Sequence, residues 1–319
     1  SLTELNIVQK SMIPIINDVI CFTSYLKNTV FVGCSAGTIA VINAQTYRIE
    51  YKAEIKIKGN NQATFAQNIL SMITMEDLDP SYLVIGLGNG QIYIYSDADI
   101  EKKFTSHHKV ITVDKTKPIT KLAHCKENLF VAAHQVIHVY EVEHFKEIYT
   151  FDLKLHQQGL HQNHITKLCV MNHTIWVALH NASTVYVCKF KKNPSGHISS
   201  MEMDERKTLN LPAMLPSLRS IPRDIPGPSF NLYDSDLFQK FSPLDIRITC
   251  MVQCERSVLL GLGNGMLLQL DSNTFKIRFL ARRHHSPVRV VVPYPVRDEE
   301  MLVASFGEDV VDIRGNIIP

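Results

Sequence analysis

LVIGLGNGQIYIYSDAD, residues 83 to 99, and VLLGLGNGMLLQLDSNT, residues 258 to 274, are near copies of one another and decide how the rest of the chain reads. Each has an alternating apolar run, then Gly-Leu-Gly-Asn-Gly, then a second alternating run ending on an acidic turn. Asn-Gly tolerates positive φ at both central positions of a type I′ turn, so Asn89-Gly90 and Asn264-Gly265 predict two tight β-hairpins. A Gly-x-Gly-x-Gly string also suits a nucleotide phosphate, but only where a helix follows to receive it. QIYIY and MLLQL alternate with period two, the spacing of strands, which argues against a dinucleotide site.

Four weaker copies complete the set: VFVGCSAGTIAVINAQT from 30, LFVAAHQVIHVYEVEHF from 129, IWVALHNASTVYVCKFK from 175 and MLVASFGEDVVDIRGNI from 301. The six starts are separated by 53, 46, 46, 83 and 43 residues. A strand-built repeat in the forties is the period of a β-propeller blade. The expectation is an all-β chain, one propeller of four-stranded blades over residues 1–319, with seven blades favoured over the six clear repeats. The interval of 83 then holds a degenerate blade or a long insertion. Residues 193–245 are rich in proline and lack sustained alternation, so they read as an irregular insertion or a poor blade, because proline cannot donate to a strand ladder. In blade two, EKKFTS is expected as the outer strand. The last repeat supplies three strands and no fourth, so residues 4 to 13 are expected to close the final blade and hide both open edges.

At 45% apolar and 20% charged residues the chain can bury a large core. A net charge of +2 gives no global case for nucleic acid. No apolar run approaches the roughly 20 residues of a membrane span, and SLTELNIVQK lacks the apolar core of a signal peptide. The chain begins without Met and reads as a piece of something longer. Its seven cysteines are scattered and sit in or beside strand patterns, which suits small buried apolar residues in a reducing compartment. A cytoplasmic location, with attachment to membrane or cytoskeleton, is the corresponding expectation.

Fourteen histidines invite a search for chemistry. His107-His108 with Lys109, and Arg282-Arg283 with His284-His285, read as matching places just after the outer strands of their repeats. His156 and His161 fall in the same kind of connection after blade three. In a propeller such connections share one face, so these residues read either as ordinary solvated loops or as a cationic surface for an acidic partner, whether protein tail or anionic membrane. Within the proline-rich stretch Leu215, Phe230, Tyr233 and Phe238 are apolar enough for a self-association segment. No zinc spacing, calcium loop, P-loop or nucleophile elbow occurs, so neither metal nor cofactor is expected. Asp97, Asp99 and Asp271 are expected to make turn hydrogen bonds. A propeller enzyme would need several acids or histidines on the inner strands. His124, Arg289, Lys121 and Lys167 are too sparse for that.

RITCMVQCERSVLLGLGNGMLLQLDSNTFKIRFL followed by SPVRVVVPYPVRDEEMLVASFG resembles the last blades of the C-terminal WD-repeat domain in the leucine-rich-repeat kinases of the Roco family. The resemblance covers about 60 residues well and the remainder only as repeat rhythm. It implies a non-catalytic platform for protein binding and homodimer formation within a multidomain signalling protein, whose kinase and GTP-binding parts lie elsewhere, and contact with microtubules or membranes. Citron-homology domains and the propellers of Rho exchange factors use similar hairpins, so a tethering or exchange-factor propeller is the alternative.

Overall fold

The computed structural model describes residues 18–26, 28–55, 64–154, 163–171, 173–194, 198–203, 208–214, 246–282, 284, 286–295 and 301–307. They fall into two compact units, one drawn from Leu5–Ile165 and Lys191–Ser200, the other from Thr166–Phe190 and Met201–Pro319. The first unit holds three antiparallel four-stranded sheets in which each strand pairs with the next. Blade one is β1 (Val19–Tyr25), β2 (Thr29–Cys34), β3 (Thr38–Asn43) and β4 (Arg48–Glu54). Blade two is β5 (Ile69–Met75), β6 (Tyr82–Leu87), β7 (Gln91–Ser96) and β8 (Lys109–Thr112), with helix α1 (Asp97–Glu101) before its last strand. Blade three is β9 (Ile119–Cys125), β10 (Asn128–Ala133), β11 (Val136–Glu141) and β12 (Lys146–Asp152). The middle strands β6 and β10 are buried along their whole length, as continuous apolar runs require. The outer strand β4 alternates exposed charge with half-buried side chains.

Blade four is β13 (Ile165–Met171), β14 (Thr174–Leu179), β15 (Thr184–Lys192) and β16 (Ile198–Met203), to which β17 (Leu209–Asn210) adds beside β15 before the short helix α2 (Leu211–Met214). Blade five is β18 (Ile248–Cys254), β19 (Ser257–Leu262), β20 (Met266–Asp271) and β21 (Ile277–Arg282). After it β22 (Val288–Pro295) and β23 (Met301–Gly307) form a two-stranded sheet. The structure is therefore an all-β propeller with five blades of four strands each, which overturns the expected seven. The reason lies at the long interval. Blades four and five share one apolar core, containing Trp176, Ala178, Val187, Ile248, Leu260 and Leu268, and Ile248 N donates to Ala182 O at 2.8 Å. Among the described residues no further sheet stands between them, and Leu209 and Leu211 from the intervening segment are absorbed into the same core. Trp176 is fully buried and stacks on Phe275 at 5.4 Å, while its Nε1 donates to Thr174 Oγ1 at 3.2 Å. Residues 4–13, expected to close the last blade, lie outside the described residues.

The two glycine hairpins differ from the predicted type I′ turn. Only Gly90 and Gly265 have positive φ, at 79° and 82°. The loops hold three residues, closed by Gly90 N to Leu87 O at 3.3 Å and Gly265 N to Leu262 O at 3.1 Å. This is the three-residue hairpin with glycine in the left-handed position. Asn89 and Asn264 act through their side chains, each Oδ1 accepting from the backbone N–H two residues on.

Successive blades are keyed together by one repeated contact. A Cβ built on Gly86 in β6 would lie 2.5 Å from Cγ2 of Ile119, the first residue of the next blade. Gly33 meets Ile69 at 2.6 Å and Gly261 meets Val288 at 2.8 Å in the same way. A bulge follows that first residue in β1, β5, β18 and β22, and a matching register shift separates Ile119 from Lys121, turning the β-branched side chain back onto the preceding sheet. The outer strands β4, β12 and β21 carry bulges of their own, which blunts their free edges.

Two outcomes test this packing. Gly86→Val is expected to cost roughly 1–3 kcal/mol by overpacking, and Ile119→Ala about 2–5 kcal/mol by cavity formation. In denaturant unfolding the double variant should be less damaged than the sum, whereas strict additivity would dismiss the contact. Asn128 is buried with neither side-chain amide atom hydrogen-bonded. The equivalent Thr174 and Ser257 donate to the carbonyls of Met171 and Cys254 at 3.0 and 2.8 Å. Asn128→Thr should therefore raise stability by about 1 kcal/mol, and an unchanged unfolding midpoint would count against it.

Candidate functional site: the arch of blade two

Most connections between the third and fourth strands are short turns, such as 44–47 and 142–145. Blade two instead has an arch of residues 97–108, and its sequence explains why. Ser96 and Asp99 form a capping box that starts α1. The Asp99 carboxylate accepts from Ser96 N at 3.0 Å, Ser96 Oγ at 2.8 Å and, across the arch, Ser106 Oγ at 2.6 Å. Phe104 takes a left-handed turn, φ 61°, that drives its ring into the core beside Phe31 at 5.9 Å and Tyr95 at 5.0 Å. Asp97 reaches the neighbouring sheet, accepting from the Tyr25 hydroxyl and from Ser81 N. Burial pushes the Tyr25 hydroxyl well above the ordinary phenol range, and the Asp97 carboxylate adds to the effect. The turn role expected of Asp99 and Asp271 is what the structure has. Asp271 accepts from Thr274 N, Asn273 N and Arg278, which together hold it far below the usual carboxylate range.

The arch contradicts the expected strand EKKFTS. The outer strand is Lys109–Thr112, so His107 and His108 precede it, whereas His284 follows β21. His107-His108 and His284 thus occupy opposite ends of their own sheets. Backbone contacts agree: His284 N donates to Gly265 O at 3.1 Å, and the groups donating to the matching Gly90 O are Val113 N and Asp114 N. Arg282 ends β21, and His156, His161, Arg283 and His285 lie outside the described residues, as do Leu215, Phe230, Tyr233 and Phe238.

His107, His108 and Lys109 are brought together and are each tied to the fold. His107 meets Tyr93 edge-on at 5.6 Å, and His108 lies between Tyr82 at 5.3 Å and Phe145 at 6.0 Å. Lys109 Nζ donates to the carbonyls of His144 and Phe145 at 2.6 and 3.3 Å, joining the arch to the turn of blade three. The exposed cations missed from sequence are Lys102 and Lys103, with Lys103 Nζ 5.5 Å over the Tyr51 ring. The S-x-x-D capping signature before them was the signal that could have found the arch. Among the described residues no three His, Cys, Asp or Glu side chains gather as a metal site. The seven cysteines are free, and burial pushes Cys21, Cys169 and Cys188 up to about 12, which keeps them as thiols.

Burial by itself raises the Asp99 pKa, but hydrogen bonds from Ser106 and Ser96, with the nearby His108, outweigh it and hold the carboxyl below its ordinary value. A carboxylate with a depressed folded pKa stabilises the fold above its unfolded value of about 3.9 and loses that contribution as pH falls through the lower folded value. Asp99→Asn should therefore destabilise at neutral pH and flatten the loss of stability below about pH 4. Parallel pH–stability curves for the two proteins would refute this role.

The residue pattern and the sheets find matches among known proteins. No curated protein matches the sequence. Among solved structures, the RRP9 WD40 repeats align with TM-score 0.55 at 14% identity, over 84% of this chain and 64% of that one. Saccharomyces cerevisiae Sqt1 aligns with TM-score 0.56 at 11% identity, over 91% and 69%. Chaetomium thermophilum Raptor aligns with TM-score 0.59 at 12% identity, over 94% of this chain and 24% of that one. At such identities the likeness is one of fold, and this chain spans less than two thirds of the RRP9 structure's length. The family model described as LRRK2 beta propeller matches residues 7–210, more than half of the sequence. The chain belongs to the LRRK2 beta-propeller family.

Proposed function

We propose that this chain is a non-catalytic docking platform within a larger signalling protein and that an acidic protein segment binds it at the arch of blade two. The observation that carries this reading is the division of charge across the arch. Two of its three acids, Asp97 and Asp99, are occupied by hydrogen bonds at its base, while Lys102, Lys103, His107 and His108 are exposed against the single exposed acid Glu101. A loop held by a buried ring and a bonded carboxylate presents such side chains without a large ordering cost on binding. A neighbour among the solved structures supports a protein partner: BBS1N has been solved in complex with ARL6DN, and it aligns with TM-score 0.54 at 15% identity. In this reading His284 and Arg282, on another sheet end, form a separate contact, and self-association belongs to the proline-rich stretch holding Leu215, Phe230, Tyr233 and Phe238.

Polyglutamate serves as the probe. Fluorescence anisotropy should report binding that weakens as salt rises, since exposed charges are screened over about 8–10 Å at physiological ionic strength. Replacing Lys102→Glu together with Lys103→Glu should weaken it roughly tenfold with the thermal midpoint little changed. Binding indifferent to both salt and charge reversal would remove the arch as the docking surface.

A further inference from the structure

We infer that Thr105 is a phosphorylation site, and that a phosphate there neutralises the cationic arch. The inference rests on the docking reading for its consequence, but not for the location of the phosphate. Thr105 directly follows the Phe104 anchor, and its N–H donates to Lys102 O at 3.3 Å, so a tight turn sets its side chain at the exposed surface. Three lysines, Lys102, Lys103 and Lys109, and two histidines, His107 and His108, stand within four residues of it, against one exposed acid, Glu101.

Neighbouring hydroxyls are already engaged. Ser106 Oγ is donated to Asp99. Thr74 is bonded to the Ser24 carbonyl, Thr112 to Gln91, Thr116 to Asp114 and Thr150 to Glu147. Among the described residues Thr105 Oγ1 makes no hydrogen bond. A hydroxyl that is exposed, unbonded and preceded by two lysines is the one a base-selecting serine/threonine kinase can both reach and recognise. In the transfer, Thr105 Oγ1 forms a bond to the γ-phosphorus of ATP while the bond from that phosphorus to the ADP oxygen breaks. The hydroxyl proton passes to the kinase's base and ADP departs. The product carries a charge of about −1.5 to −2 at neutral pH, comparable with the two lysines beside it. A phosphate paired with Lys102 and Lys103 takes the place that an incoming acidic segment would fill.

The test uses the folded chain, magnesium–ATP and the catalytic domain of a serine/threonine kinase that selects lysine or arginine before its target. Peptide mapping by mass spectrometry should place phosphate on Thr105 and not on Ser106, and Thr105→Val should abolish the incorporation at this arch. Phosphate that appears only on heat-unfolded chain, or incorporation at the arch that survives Thr105→Val, would overturn the site. Phosphorylated chain should then bind polyglutamate about tenfold more weakly than unmodified chain, and equal affinity would overturn the charge switch. If unmodified chain ignores polyglutamate altogether, the docking reading and its switch fail together, while the mapped phosphate still decides the modification site.

Discussion

The constraint on which the fold depends is the seat made by a small residue in the second strand of one blade for a β-branched residue that begins the next. Gly33, Gly86 and Gly261 leave room that Ile69, Ile119 and Val288 fill to van der Waals contact. Blades three and four have alanine there, at Ala132 and Ala178, so none of the five blades places a large side chain at this position. Hydrogen bonds fix the same joint from the backbone: Ile165 N to His134 O at 2.7 Å and Ile248 N to Ala182 O at 2.8 Å. The glycine joints thus rest on a steric fit, and the joints at Ile165 and Ile248 carry a directional bond. The steric fit leaves no room for a larger residue in the seat.

That rigidity has a consequence at the blade ends. A sheet keyed to its neighbour cannot adjust much to a loop, so an irregular loop must carry its own structure. The arch of blade two does this with an internal acid and an internal ring. Asp99 closes it across the eleven residues from Ser96 to Ser106, and Phe104 pins its tip into the core shared by blades one and two. Lys109 binds carbonyls of the next blade's turn instead of an acid. Like-charged neighbours in the sequence therefore have unlike roles. Lys109 is structural, while Lys102 at the arch surface is exposed to solvent.

Much of this was legible in the residues, and the failures have identifiable causes. Strand alternation located the hairpins because apolar faces must be buried on a period of two. The turn type was misread because Asn-Gly fits a type I′ pair on backbone grounds, yet Gly88 and Gly263 before it lengthen the loop and leave the asparagine to work through its side chain. EKKFTS was misread as a strand because repeat rhythm was given more weight than the capping residues Ser96 and Asp99. The pairing of His107-His108 with His284-His285 followed from that error, since moving the outer strand past the histidines transfers them to the other end of the sheet. The blade number failed for a different reason. Chain length between repeats measures sequence, not sheets, and one apolar core joining Ala178 to Ile248 leaves no place for an extra blade.

The same joint limits what the inner strands can carry. Inner strands that begin on a β-branched residue followed by a bulge have their first positions fixed by the joint. Thr120 and Thr249, at the bulges, use their hydroxyls on the carbonyls of Ala132 and Gly261, and Ser71 accepts from Leu122 N at 3.1 Å. These hydroxyls are thereby committed to holding strands together within a blade or, at Ser71, between blades. Variation is left to the connections, where the backbone is free of the joint. Among the described connections the arch uses that freedom most fully, with its cations kept on the outer side and Asp97 and Asp99 turned inward.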